Sequence, residues 1–431
     1  MTDQTDTTAK IFHRHVFYLP GYDPIHPRRY RELYRKEGAE QARISGYSLT
    51  MMPKPTKGGY GWQVKSRIAE HDSEATVDVL VWSDIVRDSM SNSIPATYGQ
   101  LVRTAWAYIG SGALFRLMRL RKGPVIAALY PIVFLIVQLM LAIIAAGIGW
   151  WMTQTGVDAF ITYGLRLLET AAMDRIDASF VGPISIAAAT FVSATIFVGI
   201  LQWFKARDGK VFAYYLMHDY AFSARFGGAN PPELETRMAA FREKIRSALS
   251  SDVDEVLVVG HSSGAHLSVS ILADLIRRGL PAKAPPLSFL SLGQVVPMVS
   301  YLPKARRLRG DLAYLSAQDA ITWVDVTAPG DGCAFALCDP VKVSGVAPQG
   351  QKWPLVLSAA FTQTLSPERW KALRWRFFRL HFQYLCAFDR PGHYDYFQIT
   401  AGPITLGARY DGRAPSKSRI ETPLSRFRSV A

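Results

Sequence analysis

The sequence predicts an α/β fold with a mostly parallel sheet, interrupted by two membrane-spanning helices. Short apolar segments typical of buried strands alternate along the chain with segments typical of helices, which is the pattern of βα units. Two long uncharged segments lie between the early and the late predicted strands. Each is longer than the roughly 20 apolar residues that are needed to cross the hydrocarbon layer of a membrane.

The predicted strands fall into one group before the uncharged segments and one group after them. They are residues 16–19, 43–52, 62–70, 76–82, 256–259, 287–292, 321–326 and 353–361, and the predicted helices are 27–38, 87–118, 231–249, 265–278 and 366–385. Neither the part of the chain before the uncharged segments nor the part after them contains all the groups that a catalytic site would need. We therefore predict one α/β domain built from residues 12–120 and 211–402, followed by a basic tail, 403–431, with little to bury.

The uncharged segments predict a transmembrane hairpin over residues 124–204, with helices near 125–151 and 181–204. No Asp, Glu, Lys or Arg lies between Lys122 and Asp158, and the second uncharged stretch runs from Ala178 to Phe204. Basic residues dominate the outer flanks of the two helices, whereas acidic residues dominate the loop between them. The positive-inside rule therefore predicts a two-pass protein whose N- and C-terminal parts are both cytoplasmic.

The composition narrows the expected partners. The net charge is +14, but the basic residues cluster beside the predicted membrane helices and in the tail, which favours contact with the anionic inner leaflet over nucleic acid. The three cysteines have no metal-like spacing, so no metal or other cofactor is predicted, and they fit a reducing compartment. The first ten residues contain no apolar core of a signal peptide.

One sequence motif indicates nucleophilic catalysis by a serine. The run Gly260-His261-Ser262-Ser263-Gly264 directly follows the apolar strand 256–259 and opens the helix 265–278. Strand, tight turn and helix are the context of a nucleophile elbow, in which two glycines allow a strained turn that exposes the serine hydroxyl. The sequence therefore predicts Ser262 as a nucleophile. The alternative is an ordinary helix start at which Ser262 is the N-cap.

A nucleophilic serine needs an imidazole that removes its proton. Of nine histidines, only His381 and His393 lie beyond the elbow helix, in the chain order serine, acid, histidine. His381 is the base if 353–361 is the last strand. His393 is the base if that strand is 377–388, because His393 then follows it directly. His381 is slightly favoured, and both remain candidates.

The imidazole must in turn be held by a carboxylate. Asp331 follows the predicted strand 321–326, and catalytic side chains gather in the loops after such strands. Asp339 and Asp325 are the alternative acids, in that order. Asp331 also fits a simple turn, because it lies in Pro-Gly-Asp-Gly.

An oxyanion hole requires two backbone N–H groups that point at the developing negative charge. Ser263, next to the predicted nucleophile, is expected to supply one of them. The turn after the first strand, Leu19-Pro20-Gly21-Tyr22, is expected to supply the other through Gly21 or Tyr22.

These residues give the chain a resemblance to the α/β-hydrolase fold family, in particular to its lipases and esterases. The likeness rests on the elbow motif, the Leu19-Pro20-Gly21 turn, Asp331 and the C-terminal histidines. The chain also looks like a group of bacterial inner-membrane proteins with an inserted transmembrane hairpin. The resemblance implies an α/β-hydrolase-like sheet, a serine–acid–histidine triad and an inner-membrane location. It implies no substrate.

The sequence is therefore compatible with two alternative functions. The first is a membrane-anchored serine hydrolase, esterase- or lipase-like, that cleaves an ester or thioester through an acyl-enzyme on Ser262. A membrane anchor favours a lipid or acyl-chain substrate, although a soluble ester also fits. The second is an inactive scaffold or interaction protein that keeps the same fold, since a fold does not imply a function. The sequence predicts no oligomeric state.

Overall fold

An eight-stranded sheet organises the larger of two units into which the chain divides. The computed structural model describes residues 11–54, 59–90, 93–170, 179 and 181–430. The first unit consists of Met1–Met90, Arg103–Ala127 and Ala221–Ala431, and the second of Ser91–Val102 and Ala128–Tyr220.

The strands run in the spatial order β2-β3-β4-β1-β5-β6-β7-β8. They are β1 (Phe12–Leu19), β2 (Ser48–Pro53), β3 (Gly61–Ile68), β4 (His71–Val79), β5 (Glu255–His261), β6 (Leu287–Leu292), β7 (Thr322–Thr327) and β8 (Leu355–Ser358). β3 is antiparallel to both of its neighbours, and every other pair is parallel. The predicted α/β class with a mostly parallel sheet is thus confirmed.

The sheet is buried on both faces because its central strands are apolar throughout. Along β5, Val256 and Val258 contribute to the core on one face, while Leu257 and Val259 contribute to the core on the other. This alternation follows from the two-residue period of a strand. Continuous apolar runs of this kind are typical of parallel strands covered by helices on both sides.

Helices surround the sheet. They are α1 (Arg28–Ser45), α2 (Ser83–Ser89), α4 (Ala113–Leu120), α9 (Pro232–Ala248), α10 (Ser263–Arg277), α11 (Val296–Ser300), α12 (Arg306–Ser316), α13 (Pro340–Val343), α14 (Phe361–Thr364), α15 (Pro367–Leu373), α16 (Phe377–His381), α17 (Tyr396–Ala401) and α18 (Leu406–Arg409). A 3₁₀ turn, Gln383–Leu385, follows α16. α9, α10 and α12 supply the core on one face, and α1 and α17 supply it on the other.

The other helices lie wholly or partly in the second unit. They are α3 (Ile94–Gly110), α5 (Lys122–Thr170), α6 (Val181–Ala206), α7 (Asp208–Val211) and α8 (Ala213–Arg225). α5 and α6 are long and apolar enough to cross a membrane, and only 22% and 17% of their most apolar stretches are buried. Most of the apolar surface of these two helices is therefore not covered by other described residues.

α5 is much longer than the predicted helix 125–151. It runs for 49 residues and reaches Thr170, so Asp158 lies within the helix and not in a loop. At 1.5 Å per residue its length is about 74 Å, more than twice the roughly 30 Å hydrocarbon layer. Helical hydrogen bonding continues past Trp151 because it does not require apolar side chains. Residues 171–178 of the predicted loop lie outside the described residues.

Two helical predictions were too simple. The predicted helix 87–118 forms parts of three helices, and the chain breaks between α3 and α4 where Gly112 takes a left-handed conformation. The predicted helix 366–385 is also divided, into α15, α16 and the 3₁₀ turn. Residues 43–45 end α1 and do not begin a strand.

The C-terminal tail is packed, contrary to the prediction that 403–431 has little to bury. Ile420 exchanges backbone hydrogen bonds with Leu337 and Asp339, at 2.7 and 2.9 Å. The Arg309 side chain, 1% exposed, donates to the carbonyl oxygen of Ser429 at 2.8 Å. The prediction was wrong because it considered only side-chain polarity, whereas this segment packs mainly through hydrogen bonds of its backbone groups.

Candidate active site

Ser262 occupies a strained turn between β5 and α10. Its backbone angles are φ 56° and ψ −123°, a combination that residues with a side chain rarely adopt. Such a conformation costs on the order of 1–3 kcal/mol and persists only where the surrounding structure enforces it. The Ser262 side chain makes no cap hydrogen bond to the helix, so the alternative prediction of a simple N-cap does not describe it.

The two glycines of the motif are required by close packing. A Cβ atom on Gly264 would overlap the carbonyl oxygen of Leu19 and lie 2.7 Å from that of Pro20. A Cβ atom on Gly260 would lie 2.7–2.8 Å from Ser268 and the start of α10. The first turn of α10 therefore packs directly on the backbone that follows β1, which holds the serine turn against that loop.

His381 and Asp331 form a buried pair. The Nδ1 atom of His381 lies 2.7 Å from Oδ2 of Asp331, and the two side chains are 8% and 0% exposed. Asp331 follows β7, and His381 ends α16, beyond β8. When Nδ1 donates its proton to Asp331, Nε2 of the neutral ring is left as a proton acceptor.

Asp331 is held in its ionised form. Burial alone would raise the pKa of this carboxyl, but the neighbouring His381 charge and several donors hold the pKa below its ordinary value. The donors are His381, the backbone N–H of Cys333 at 2.9 Å and the hydroxyl of Tyr384 at 3.0 Å. A carboxylate with this environment orients and stabilises a protonated imidazole.

Two further residues, His261 on His381 and Tyr384 on Asp331, hold the pair, and the sequence reasoning missed both. Nε2 of His261 lies 3.0 Å from the carbonyl oxygen of His381, and the two rings are 4.9 Å apart. Burial, assisted by the His381 charge, lowers the pKa of His261 to about 3, so its ring is neutral. Tyr384 was detectable in principle, since it follows His381 by three residues, one helical turn.

Leu292 and Gly293 connect the turn that holds Ser262 with the His381–Asp331 pair. The backbone N–H of Ser262 donates to the carbonyl oxygen of Leu292 at 2.9 Å, and a Cβ atom on the next residue, Gly293, would lie 3.1 Å from Cε1 of His381. No hydrogen bond joins Ser262 Oγ to the His381 ring in this structure. Such bonds are often long without substrate and shorten when the substrate is bound.

The predicted oxyanion residues lie around the same serine. A Cβ atom on Gly21 would lie 3.0 Å from Cβ and 3.3 Å from Oγ of Ser262. The Tyr22 side chain turns into the core, where its hydroxyl lies 2.7 Å from the Ser89 hydroxyl. Ser263 begins α10 directly after the nucleophile. The structure therefore brings Gly21, Ser262 and Ser263 together.

His393, the second candidate base, is not brought to Asp331. It is exposed in the loop before α17, and its carbonyl oxygen accepts a hydrogen bond from Tyr410 at 3.2 Å. The argument for His393 required a last strand at 377–388. That segment instead forms α16 and a 3₁₀ turn, and the last strand of the sheet is β8.

The two alternative acids have other partners. Asp339 is the N-cap of α13 and accepts from the backbone N–H groups of Val341 and Lys342. Asp325 lies in β7 and accepts from the Ser291 hydroxyl at 2.5 Å, while its Oδ2 atom has no partner among the described residues. Burial raises the pKa of Asp325 to about 8. This acid is therefore largely protonated at neutral pH.

We expect Asp325→Asn to stabilise the protein at alkaline pH. The folded pKa of about 8 exceeds the unfolded value of about 4, so the contribution of Asp325 to the free energy of unfolding is greatest below pH 4 and falls as the pH rises toward 8. The amide has no proton to lose, and the variant should exceed wild type by about 2–5 kcal/mol at pH 8. Thermal unfolding in detergent from pH 4 to 9 measures this difference. Parallel curves for the two proteins would contradict the assignment.

Among the residues that the structure describes, one cluster has the composition of a metal site. The ligand atoms of Asp331, Cys333 and His381 lie within 4.8 Å of one another. A carboxylate, a thiol and an imidazole are the donors that zinc prefers. Asp331 and His381 are already bonded to each other, and their pairing explains the arrangement without an ion.

The chain was compared with protein-family models, with curated proteins and with solved structures, and none of the three comparisons gives a match.

Proposed function

We propose that this protein is a membrane-anchored serine hydrolase that cleaves an ester or thioester through an acyl-enzyme on Ser262. The observation that carries the proposal is the buried His381–Asp331 pair, 2.7 Å between Nδ1 and Oδ2, whose imidazole ring lies 4.9 Å from that of His261, the residue before a serine in a strained elbow. Strain, a buried ionised acid and a paired imidazole at one point of the sheet are typical of an active site and have no evident role in stability.

The positions of the three residues in the chain support the same assignment. Ser262 follows β5, Asp331 follows β7 and His381 comes after β8. These strands are parallel, so their carboxyl ends meet at one edge of the sheet. Serine, acid and histidine in this order are characteristic of the α/β-hydrolase fold. We therefore interpret the sheet as an α/β-hydrolase-like domain.

We further interpret α5 and α6 as a transmembrane hairpin inserted into that domain. β1 pairs with β4, which precedes the hairpin, and with β5, which follows it. In this interpretation the parts before and after the hairpin both lie in the cytoplasm, as the basic flanks predict. The bacterial inner membrane is the location that we propose.

The proposed reaction begins when Ser262 Oγ attacks the acyl carbon and Nε2 of His381 accepts the hydroxyl proton. Asp331 stabilises the imidazolium that results. The backbone N–H groups of Ser263 and of Gly21 or Tyr22 donate to the oxyanion. His381 then protonates the leaving alcohol or thiol, and a water molecule, activated by the same imidazole, hydrolyses the acyl-enzyme.

Ester turnover tests this proposal. The full chain, purified in detergent, is assayed with p-nitrophenyl esters of increasing acyl length, beside Ser262→Ala. We expect kcat/KM of the variant to fall by about 10⁴-fold or more. Ser250→Ala is the matched control, because Ser250 is an exposed serine after α9.

The alternative function, an inactive scaffold, predicts a different result. If folded wild-type protein hydrolyses none of the esters faster than Ser262→Ala, the serine is not an activated nucleophile under these conditions. The proposal would then give way to the scaffold interpretation.

A further inference from the structure

A basic and aromatic segment, residues 371–379, lies open to solvent and ends two residues before His381. Trp375 is 72% exposed and Phe377 is 49% exposed. The segment also holds four exposed basic residues and no acidic one; the basic residues are Lys371, Arg374, Arg376 and Arg379. Exposed apolar side chains grouped among polar ones are typical of protein or membrane interaction sites.

This segment and the residue before it, Trp370, pack against the loop that carries Asp331. A Cβ atom on Gly330 would lie 2.6 Å from the Trp370 ring, and one on Gly332 would lie 3.3 Å from the Phe377 ring. Asp331 lies between these two glycines, and His381 follows two residues after the segment ends. The segment therefore packs against the loop that carries one member of the His381–Asp331 pair and directly precedes the other.

The same loop contacts the first turn of α5. A Cβ atom on Gly123 would lie 3.4 Å from the carbonyl oxygen of Gly332, and the Arg121 side chain donates to the carbonyl oxygen of Ala336 at 2.9 Å. Gly332 thus lies between Phe377 and the start of the first long apolar helix. The basic and aromatic segment is close to the point where the chain would enter a membrane.

Helices α3 and α4, which precede α5, carry the same combination of side chains. Trp106 is 79% exposed on α3, and Phe115 is 62% exposed on α4. Arg103 and Arg119 are exposed on the same two helices. Aromatic rings sit at the headgroup level of a bilayer, and basic side chains are attracted to its anionic lipids.

We infer that the basic and aromatic segment docks on the anionic headgroup surface of the bilayer, so that the active site takes its substrate from the membrane. The docking rests on the exposed Trp375 and Phe377, the four positive charges and the nearby start of α5. The substrate class, an ester resident in the bilayer, rests in addition on the proposed hydrolase function.

Tryptophan quenching tests the docking without reference to activity. The full chain is reconstituted in vesicles of phosphatidylcholine alone or with phosphatidylglycerol, each carrying lipids brominated near the headgroup. We expect the emission that is lost in Trp375→Phe to be quenched by the brominated lipid, and more strongly in anionic vesicles. If acrylamide in the water quenches that emission and the lipid does not, the inference is wrong.

Substrate choice tests the second part. We expect the double variant Arg374→Glu/Arg376→Glu to hydrolyse an ester dissolved in anionic vesicles about tenfold more slowly than wild type, with a short soluble ester unaffected. The matched control is Arg278→Glu/Lys283→Glu, two exposed basic residues after the far end of α10. Equal losses in both double variants, or equal losses on both esters, would overturn membrane delivery.

The two proposals fail separately in these experiments. Quenching of Trp375 without Ser262-dependent hydrolysis of either ester would support the docking surface and contradict the proposed hydrolase function. Hydrolysis that depends on Ser262, with Trp375 unquenched by lipid, would support the hydrolase function and contradict the docking surface.

Discussion

Replacing His381 with alanine is expected to lower kcat/KM for ester hydrolysis by about 10⁴-fold or more. The reason is that Ser262 then has no base, and the loss of any one member of such a triad removes most of the catalysis. His393→Ala is the matched control. The sequence alone left both histidines open as the base, but only His381 has its Nδ1 on Asp331, whereas His393 is exposed.

Asp331→Asn completes this test. The amide keeps the shape of the carboxyl group but removes the charge that holds the imidazole in one tautomer, so a loss of about 10⁴-fold is expected. The assay measures the three variants on one soluble ester, after circular dichroism shows that each is folded. Full activity in His381→Ala together with inactivity in His393→Ala would contradict the assignment.

Gly264→Ala is expected to destabilise the protein by more than about 4 kcal/mol, the range in which single substitutions disrupt a core or a backbone contact. The added Cβ atom would overlap the carbonyl oxygen of Leu19 and approach that of Pro20. Both neighbours are backbone atoms, one at the end of the central strand β1 and one in the residue that follows it, so neither can rotate away. Thermal unfolding in detergent, monitored by circular dichroism, measures the change.

Gly99→Ala is the control for this substitution. Gly99 lies inside α3, and a Cβ atom there would meet nothing within 4 Å. Alanine is favoured over glycine in a helix by about 1 kcal/mol, so this variant should equal or exceed wild type in stability. A Gly264→Ala protein that unfolds at the wild-type temperature would show that α10 does not pack on β1 as described.

The sequence predicted the central strands well because their apolar runs are continuous. The predicted strand 287–292 agrees with β6 at both ends, and 256–259 lies within β5. Gly-x-Ser-x-Gly between strand and helix was also visible, because its glycines report a backbone requirement directly. The apolar runs and the serine motif are both local features of the sequence, so they can be recognised from consecutive residues.

The choice of base was not accessible from local pattern. Residues 377–388 mix aromatic, aliphatic and polar side chains without a clear period of 2 or 3.6, so strand and helix fitted equally. The decision depends on a contact between His381 and Asp331, 50 residues apart in the chain. The packed tail was missed for a similar reason, since Ile420 is held by backbone hydrogen bonds to distant residues.

The central claim is that Ser262 is an activated nucleophile, and covalent labelling tests it most directly. The full chain in detergent is treated with a fluorophosphonate, and the modified peptide is identified by mass spectrometry, beside Ser262→Ala. We expect stoichiometric modification of Ser262 in the wild type and none in the variant. Folded wild-type protein that stays unmodified, or that is modified equally in Ser262→Ala, would contradict the account.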